Sequence, residues 1–300
     1  MAGDAGLDVL TRHGGEISHG DDTRARIRLT GGGAGANTAL WLASCGVDTT
    51  LFARVGDDLG GRLVRAELEA AGVHCAFTVD RDAATSCVVV LVDDEGQRTM
   101  LPDRGASARF APGDVDPAAL AGVSHLHLSG YVLLDPSSRP GGLAALAAAR
   151  EAGLTTSVDP QSAALLTPEF LADVRGVDLL LPNTAELAAL TGSPEPESAK
   201  ALLDVVGAVA VTAGSEGASW VDAGGVVTVP AEAVECVDST GAGDAFDAGL
   251  LAARVRGEST VDCLRAGARL GARAVGVPGG RGQPSITRCE RDSSTLASAW

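Results

Sequence analysis

Two kinds of segment alternate along the chain. Short runs of β-branched and other apolar residues predict buried strands at 49–55, 125–129, 155–159, 179–182 and 206–212. Longer Ala- and Leu-rich segments have helical periodicity and predict helices at 35–45, 59–71, 142–152, 184–190, 198–203, 243–256 and 261–274. This alternation predicts an α/β fold, a doubly wound and mostly parallel sheet with helices on both faces.

Two segments interrupt that alternation. Residues 8–29 and 85–101, the latter with the turn Asp93-Asp94-Glu95-Gly96, have the pattern of strands joined without helices. They predict a small β-sheet lid with segments at about 8–30 and 75–103. Since no repeat or low-complexity linker divides the chain, we expect a single domain over 1–285 and a C-terminal tail over 286–300.

Composition and charge limit the partners. Of the 300 residues, 45% are hydrophobic but only 3% are aromatic, so the core must be built from Ala, Val and Leu. The formal net charge of −16 opposes a broad basic face for nucleic acid. A small phosphorylated ligand stays open, because backbone N–H groups at a helix N-terminus bind phosphate without net positive charge.

The sequence carries no targeting pattern. Its longest apolar stretches, such as 144–149 and 205–211, are far below the ~18 residues that span a bilayer. The N-terminus lacks the pattern of a signal peptide, and six scattered cysteines form no C-x-x-C pair. We expect a cytoplasmic protein with reduced thiols and no membrane partner.

The first passage that offers chemistry is the glycine turn at 30–37. Gly31-x-Gly33-x-x-Ala36 superficially fits a dinucleotide fingerprint, but the segment before it belongs to the predicted lid rather than to a core strand. A nucleotide-dependent oxidoreductase rests on this match alone. The residues fit equally a glycine turn beside a ligand, with Asn37 facing it, and a tight turn without one.

The most informative passage runs over 237–249. Gly241, Ala242 and Gly243 leave successive N–H groups unobstructed where a long helix begins, as an anion site requires. Asp244 in the first turn is either a helix cap or a base that accepts a proton from a substrate hydroxyl.

Two more passages follow predicted strands. Asn183 and Glu186 are spaced as in a capping box, and both side chains point the same way from one helical turn. Thr212, Gly214 and Gly217 place a hydroxyl and two glycines where a nucleotide could lie, although such a turn is common. Each passage alone favours the structural interpretation.

In their order, these motifs resemble the ribokinase-like family of carbohydrate kinases, the phosphofructokinase B type, over residues 3 to about 285. Gly32-Gly33-x-x-x-Asn37 is similar to the family's first signature, and 238–244 is similar to its second. Asn183-x-x-Glu186 and Gly56-Asp57-Asp58-x-Gly60 lie between them. The resemblance implies a ribokinase-like α/β domain with a β-lid that closes over a sugar and forms a homodimer contact.

The same resemblance implies roles for individual residues. Asp244 would be the catalytic base, and Gly241, Ala242 and Gly243 the anion hole for the γ-phosphate of ATP. The sugar would be bound by Asp8, Gly32, Gly33 and Asn37. The nucleotide side would comprise Asn183, Glu186, Thr212, Gly214 and Gly217, with Glu186 holding Mg²⁺ through water. Asp238 and Thr240 are similar to part of a monovalent-cation site, for an ion such as K⁺, whose other ligands would come from 277–285.

The chain departs from the family pattern in places. Only Met1 and Ala2 precede the Gly-Asp pair, where most members have more of a central strand. Asp247 replaces the usual Asn, which would weaken ATP binding if it faced the phosphates. Ala34 and Ser129 stand where a ribokinase proper has Lys and an acidic residue, so ribose is disfavoured.

The predicted function is therefore an ATP-dependent kinase that phosphorylates a hydroxyl of a small sugar or sugar acid. The stretch 128–131 is similar to ketodeoxygluconate and other sugar-acid kinases, and Arg104 and Arg109 are candidates to meet a carboxylate. One alternative is an adenosine-type nucleoside kinase, which the scarcity of aromatics disfavours. The other is a catalytically silent sugar or nucleotide sensor, which the complete motifs disfavour.

Overall fold

The computed structural model describes residues 1–95 and 97–277. Gly96 of the expected hairpin turn, nearly all of the expected cation ligands at 277–285, and the expected tail at 286–300 lie outside the described residues. Within the described part of the chain, no helix is both long and apolar enough to cross a membrane.

Strands and helices alternate through most of the chain. The strands are β1 (Gly6–His13), β2 (Ala25–Gly32), β3 (Thr49–Gly56), β4 (Val73–Asp80), β5 (Ser86–Val92), β6 (Arg98–Asp103), β7 (His125–Ser129), β8 (Thr155–Asp159), β9 (Leu179–Leu180), β10 (Ala208–Thr212), β11 (Ala218–Asp222) and β12 (Gly225–Val229). The helices are α1 (Ala34–Ser44), α2 (Leu59–Ala70), α3 (Tyr131–Leu134), α4 (Arg139–Glu151), α5 (Phe170–Asp173), α6 (Thr184–Thr191), α7 (Ala242–Val255) and α8 (Thr260–Val275).

The main sheet is mostly parallel, as predicted. Its strands run β12-β11-β10-β9-β8-β7 and then β3-β4, with β11 and β12 antiparallel to their neighbours. Ala2 joins the two parts, because it forms parallel bridges to Phe52 in β3 and to Leu128 in β7. The N–H of Ala2 donates to His127 O at 2.9 Å, and its carbonyl accepts from Ser129 N at 3.0 Å. The first residues of the chain therefore lie in the middle of the sheet.

Neighbouring residues of the central strands enter different hydrophobic clusters on the two faces of the sheet. Leu180, Val209 and Val211 pack in a cluster with Leu146 and Leu187, from α4 and α6. Leu179, Leu181, Ala208 and Ala210 instead pack with residues of α1, α7 and α8, among them Trp41, Phe246 and Leu264. Burial on both sides explains the continuous apolar runs, and it confirms the doubly wound architecture.

The lid is a separate sheet with the strand order β2-β1-β5-β6. β1 pairs antiparallel with β2 and parallel with β5, and β6 pairs antiparallel with β5. β4 pairs with β3 in the main sheet, so the second lid segment begins at β5 rather than near residue 75. Gly31 and Gly32 end the antiparallel strand β2, so the glycine turn does not follow a parallel core strand and the dinucleotide fingerprint is absent there.

One predicted helix is wrong in type. Residues 198–203 were expected to be α-helical, but Pro196–Leu202 forms a 3₁₀ helix. A segment this short spans fewer than two α-helical turns, so its apolar spacing does not distinguish the two kinds of helix.

Candidate active site

The candidate site lies at the carboxyl ends of the central parallel strands, where α/β sheets bind their ligands. Ser129 ends β7, Asp159 ends β8, Asn183 follows β9 and Thr212 ends β10. Asn183 and Thr212 are adjacent, since they form an isolated parallel bridge. A cavity of about 190 Å³ opens here and is lined by Asp159, Gln161, Leu181, Asn183, Glu186, Thr212, Gly241, Gly243, Asp244 and Asp247.

The two motifs that are most distant in sequence meet at this cavity. Asn37, in the first turns of α1, donates its side-chain N–H to Oδ2 of Asp244, in the first turn of α7, at 2.9 Å. Both side chains are buried, with residue exposures of 6% and 8%. The hydrogen bond fixes the Asp244 carboxylate at the boundary between the glycine turn and the 238–244 loop.

The glycine turn is shaped by close packing against the start of the chain. A Cβ at Gly32 would overlap the carboxylate of Asp8, and Gly33 has a φ of 93°, with its Cβ position 2.8 Å from Asp4 O. The N–H groups of Ala34 and Gly35 donate to the carboxylate of Asp4 at 3.2 and 3.3 Å. Asp4 thus caps α1 from outside the helix, and Gly32 and Gly33 let the backbone come close to the acidic residues.

The start of α7 borders a second cavity. This cavity of about 350 Å³ is lined by small and apolar side chains and includes Thr212, Gly214, Gly217, Gly243 and Phe246. Thr212 and Gly243 line both cavities, so the two are adjacent at the start of α7. Gly217 has a φ of 106°, and its Cβ would overlap Val229 O, which explains why glycine stands there. The geometry suits a base and ribose with phosphates directed towards α7.

Asn183 and Glu186 form the capping box that their spacing indicates. Asn183 Oδ1 accepts from Glu186 N, and Glu186 Oε2 accepts from Asn183 N, both at 2.9 Å. Glu186 Oε1 also accepts from Asn183 Nδ2 at 2.7 Å. The pair nevertheless lines the smaller cavity, so capping and ligand contact are compatible here.

Four carboxylates surround the smaller cavity, and burial changes the ionisation of three. Burial, followed by the charges of Glu186 and Asp244, raises the pKa of Asp159 well above its ordinary value. Burial also raises the pKa of Glu186, against the hydrogen bonds from Asn183. Gln161 holds both oxygens of Asp159, through its backbone N–H at 2.8 Å and its amide at 2.7 Å. The described residues form no group of three or more His, Cys, Asp or Glu side chains placed to hold a metal ion directly, so a cation bound here would keep water ligands.

Asp247 lies deeper than the other three carboxylates. Its pKa is raised well above the ordinary value by burial and then by the charge of Asp159, with which it shares a side-chain hydrogen bond. Its Oδ2 lies 3.8 Å from His127 Nε2, and neither atom has a hydrogen-bond partner among residues 1–95 and 97–277. Burial lowers the pKa of His127, so the ring is neutral and the contact is not an ion pair.

Tyr131 and Arg104 form the cationic and aromatic part of the site on the lid side. The Arg104 guanidinium lies 5.1 Å from the centre of the Tyr131 ring and donates to its carbonyl at 3.3 Å. Burial, followed by the nearby charge of Asp4, raises the pKa of Tyr131 to about 12. Arg109, the other arginine proposed to meet a substrate, instead pairs with Asp80 at 2.9 Å.

Asp238 and Thr240 contact the lid. Arg98, the first residue of β6, lies 2.7 Å from Asp238 Oδ1 through Nη2 and donates through Nη1 to Thr240 Oγ1. Sequence reasoning did not single out Arg98, nor Asp4, Asp159 or Gln161. Asp159 ends a predicted strand, and Asp4 belongs to the Gly-Asp pair near the start of the chain. Both positions could have marked these residues as candidates for the site. Nothing local marks Arg98, because its partners lie about 140 residues away.

A ribokinase-like fold whose helix N-termini and carboxylates meet beside a nucleotide-sized cavity defines a phosphotransferase that acts on small molecules. The sequence profile of the pfkB family carbohydrate kinases matches residues 15–287, and the chain belongs to this family. The protein is therefore a carbohydrate kinase with an alcohol group as phosphate acceptor. This membership overturns the oxidoreductase alternative, which rested on the glycine turn alone.

Named relatives and solved structures agree with this assignment. The chain is 34% identical over 260 residues to an ATP-dependent ribose-1-phosphate kinase of Halopiger xanaduensis, covering 86% of this chain and 84% of that one. It is 36% identical over 265 residues to a fructokinase of Klebsiella pneumoniae, covering 84% and 82%. The crystal structure of adenosine kinase from Sinorhizobium meliloti superimposes with a TM-score of 0.86 at 25% identity, over 95% of both chains.

Proposed function

We propose that the protein transfers the γ-phosphate of ATP to a hydroxyl of a small sugar or sugar acid. Asp244 is the base, and the N–H groups of Gly241, Ala242 and Gly243 form the anion hole. The observation that carries this proposal is the Asn37–Asp244 hydrogen bond, because it links the turn expected to bind sugar to the loop expected to bind phosphate.

In this mechanism, Asp8, Gly32, Gly33 and Asn37 hold the sugar below the lid. The substrate hydroxyl oxygen forms a bond to the γ-phosphorus while the bond to the β–γ bridging oxygen breaks and ADP leaves. The hydroxyl proton passes to the Asp244 carboxylate, which Asn37 keeps oriented. The N–H groups at the start of α7 stabilise the charge on the transferring phosphoryl group.

The nucleotide would occupy the larger cavity, with Thr212, Gly214 and Gly217 against it and its phosphates at the start of α7. Asn183 and Glu186 would hold Mg²⁺ through water. Glu186 is only 3% exposed and its oxygens bond to Asn183, so an ion retaining its hydration shell fits better than direct ligation. Bound Mg²⁺ would neutralise phosphate charge beside the buried carboxylates.

Arg104 favours a substrate with a negative group. It is half-buried on the Tyr131 ring and directly follows the lid strand β6, and the charge of Asp4 acts on that same tyrosine. A sugar acid would place its carboxylate against this guanidinium. The adenosine kinase neighbour keeps a nucleoside as the second candidate, for which Tyr131, which feels the charges of Asp159 and Asp244, offers an aromatic surface.

The test is a panel of neutral sugars, sugar phosphates, sugar acids and nucleosides with ATP and MgCl₂, read by substrate-dependent ADP release and by the mass of the product. We expect a sugar or sugar acid to give the highest kcat/KM. For an acid substrate, Arg104→Ala should raise the KM for the acid but leave the KM for a neutral sugar unchanged. A nucleoside as best substrate would favour the second candidate, and ATP binding without any turnover would contradict both.

We also propose a homodimer formed through the lid. Ile27, Leu29, Met100 and Leu101 all lie on lid strands and are each more than half exposed. Such a concentration of exposed apolar side chains is typical of an interface. Light scattering should give twice the chain mass, and Ile27→Glu with Leu29→Glu should reduce it to one chain. A wild-type monomer at all concentrations would contradict the dimer.

A further inference from the structure

The loop before α7 makes one ion pair and one hydrogen bond with the lid. Asp238 Oδ1 accepts from Arg98 Nη2 at 2.7 Å and from the N–H of Thr240 at 2.8 Å. The second guanidinium nitrogen of Arg98 donates to Thr240 Oγ1. One lid arginine thus engages both residues that the family resemblance assigns to a monovalent-cation site.

These contacts decide whether the two residues fit a bound cation. The guanidinium keeps its positive charge at every accessible pH and has donors but no acceptor. A monovalent cation on the same oxygens would be repelled by that permanent positive charge. It would also compete with the guanidinium for the oxygen atoms that now accept its hydrogen bonds. Asp238 and Thr240 as arranged here do not fit a monovalent cation.

We propose that Arg98 takes the place of the monovalent cation, so that the lid itself supplies the positive charge that orders the loop before α7. The proposal rests on the proposed kinase function for its catalytic consequence. Its structural part stands on the Arg98 contacts alone.

Both ends of the contact are anchored. Arg98 starts β6, whose backbone pairs with β5 from Arg98 opposite Val92 to Asp103 opposite Cys87. On the other side, the N–H groups of Val237 and Asp238 both donate to Val275 O, at the end of α8. The second hydrogen bond of the same guanidinium, to Thr240 Oγ1, gives the pair a defined geometry that an isolated surface ion pair lacks.

The Arg98 and Asp238 side chains are also partly shielded, with exposures of 28% and 18%. The loop continues directly into Gly241, whose φ of 70° turns the chain into α7. Fixing Asp238 and Thr240 therefore fixes the approach to the anion hole. Through Arg98, the position of the lid is coupled to the order of the proposed phosphate site, and no ion from solution is needed for this coupling.

The test compares wild type, Arg98→Ala and Arg28→Ala in 100 mM KCl and in 100 mM choline chloride, which keeps ionic strength constant. Arg28 is exposed on lid strand β2, so its substitution removes the same charge from the same sheet. The first readout is the melting temperature without nucleotide, and the second is the Kd for ADP with MgCl₂. The melting temperature reports on the loop independently of the catalytic roles proposed for Asp244 and the anion hole.

We expect wild type and Arg28→Ala to give the same values in both salts. Arg98→Ala should bind ADP about tenfold more weakly in choline chloride, the loss typical of one charge-assisted hydrogen bond. KCl or 20 mM guanidinium chloride should restore its affinity and raise its melting temperature. Guanidinium rescue is the result that a merely structural role would not produce.

Three results would overturn the proposal. Loss of affinity or stability by wild type when K⁺ is removed would mean that the ion binds despite Arg98. Equal values for Arg98→Ala and wild type in choline chloride would make the contact dispensable. A weakening of Arg98→Ala that neither cation rescues would mean that the loop does not depend on the positive charge of Arg98.

Discussion

The helices α6 and α7 both begin at the smaller cavity, but their N-termini are built in different ways. α6 is capped by its own residues, since Asn183 and Glu186 exchange hydrogen bonds with each other's backbone N–H groups. Gly241, in a left-handed conformation, precedes α7, and among the described residues this helix start has no side-chain cap; the N–H of Ala242 only reaches Ser239 O at 3.3 Å. α6 thus closes its own N-terminus, whereas the first turn of α7 keeps N–H groups that a phosphate could bind.

The largest effect is expected when the proposed base is removed while the N–H groups of α7 stay in place. Asp244→Asn keeps an oxygen for Asn37 but cannot accept the substrate proton, so kcat should fall by about 10²- to 10⁴-fold. ADP affinity and melting temperature should change little. Asp57→Asn, at an exposed position, removes one charge as the control. Retention of more than a tenth of kcat by Asp244→Asn would exclude Asp244 as the base.

The second test puts a methyl group at the start of α7. The Cβ position at Gly243 meets nothing within 4 Å, so Gly243→Ala should fold normally. The methyl would crowd a phosphate and raise the Kd for ATP by about tenfold, equivalent to ~1.4 kcal/mol. Gly249→Ala in the same helix is the matched control, because its Cβ would lie 2.5 Å from Ala266 O and should lower stability instead. Equal ATP affinity for Gly243→Ala and wild type would contradict the anion hole.

The third test breaks the cap of α6. Asn183→Ala removes the acceptor for Glu186 N and should cost about 1 kcal/mol of stability, or roughly 2–4 °C in melting temperature. Asn183→Ser keeps an acceptor and should recover most of that loss. If the pair also organises Mg²⁺, both variants should need more MgCl₂ for half-maximal activity. A normal Mg²⁺ requirement in both would leave the capping box as its sole role.

The smallest expected effect on turnover comes from Asp247→Asn. Because the folded-state pKa of Asp247 is raised, its contribution to stability is full below the ordinary carboxyl pKa of about 4 and is lost as pH rises through the folded value. Asparagine is neutral throughout, so the variant should gain stability over wild type as pH increases from 5 to 9 in urea unfolding. KM for ATP should stay within about twofold, or ~0.4 kcal/mol. A parallel pH dependence for both proteins would contradict the buried, protonated carboxyl.

The sequence predicts those features of the fold and the site that depend on residues close together in the chain. The alternation of apolar runs and helical periods predicted the main sheet and its two helical layers, because burial on both faces leaves a continuous signal. The spacing of Asn183 and Glu186 predicted a capping box that is present. Asp4 capping α1 and Arg98 contacting Asp238 escaped prediction, because the partners are set by tertiary folding. Glu186 shows a further limit of prediction from sequence, because the same residue closes a capping box and lines the smaller cavity, and its spacing from Asn183 indicates only the first role.

The Asn37–Asp244 hydrogen bond limits how early in synthesis and folding the enzyme can become active. Its two residues are 207 positions apart, so Asp244 is synthesised long after Asn37 and after most of the sheet. No fragment that stops short of α7 can assemble the proposed base and its partner, and contacts this distant in sequence form slowly. Phosphate transfer would then report on the completed fold: during refolding, activity should return after the secondary structure does.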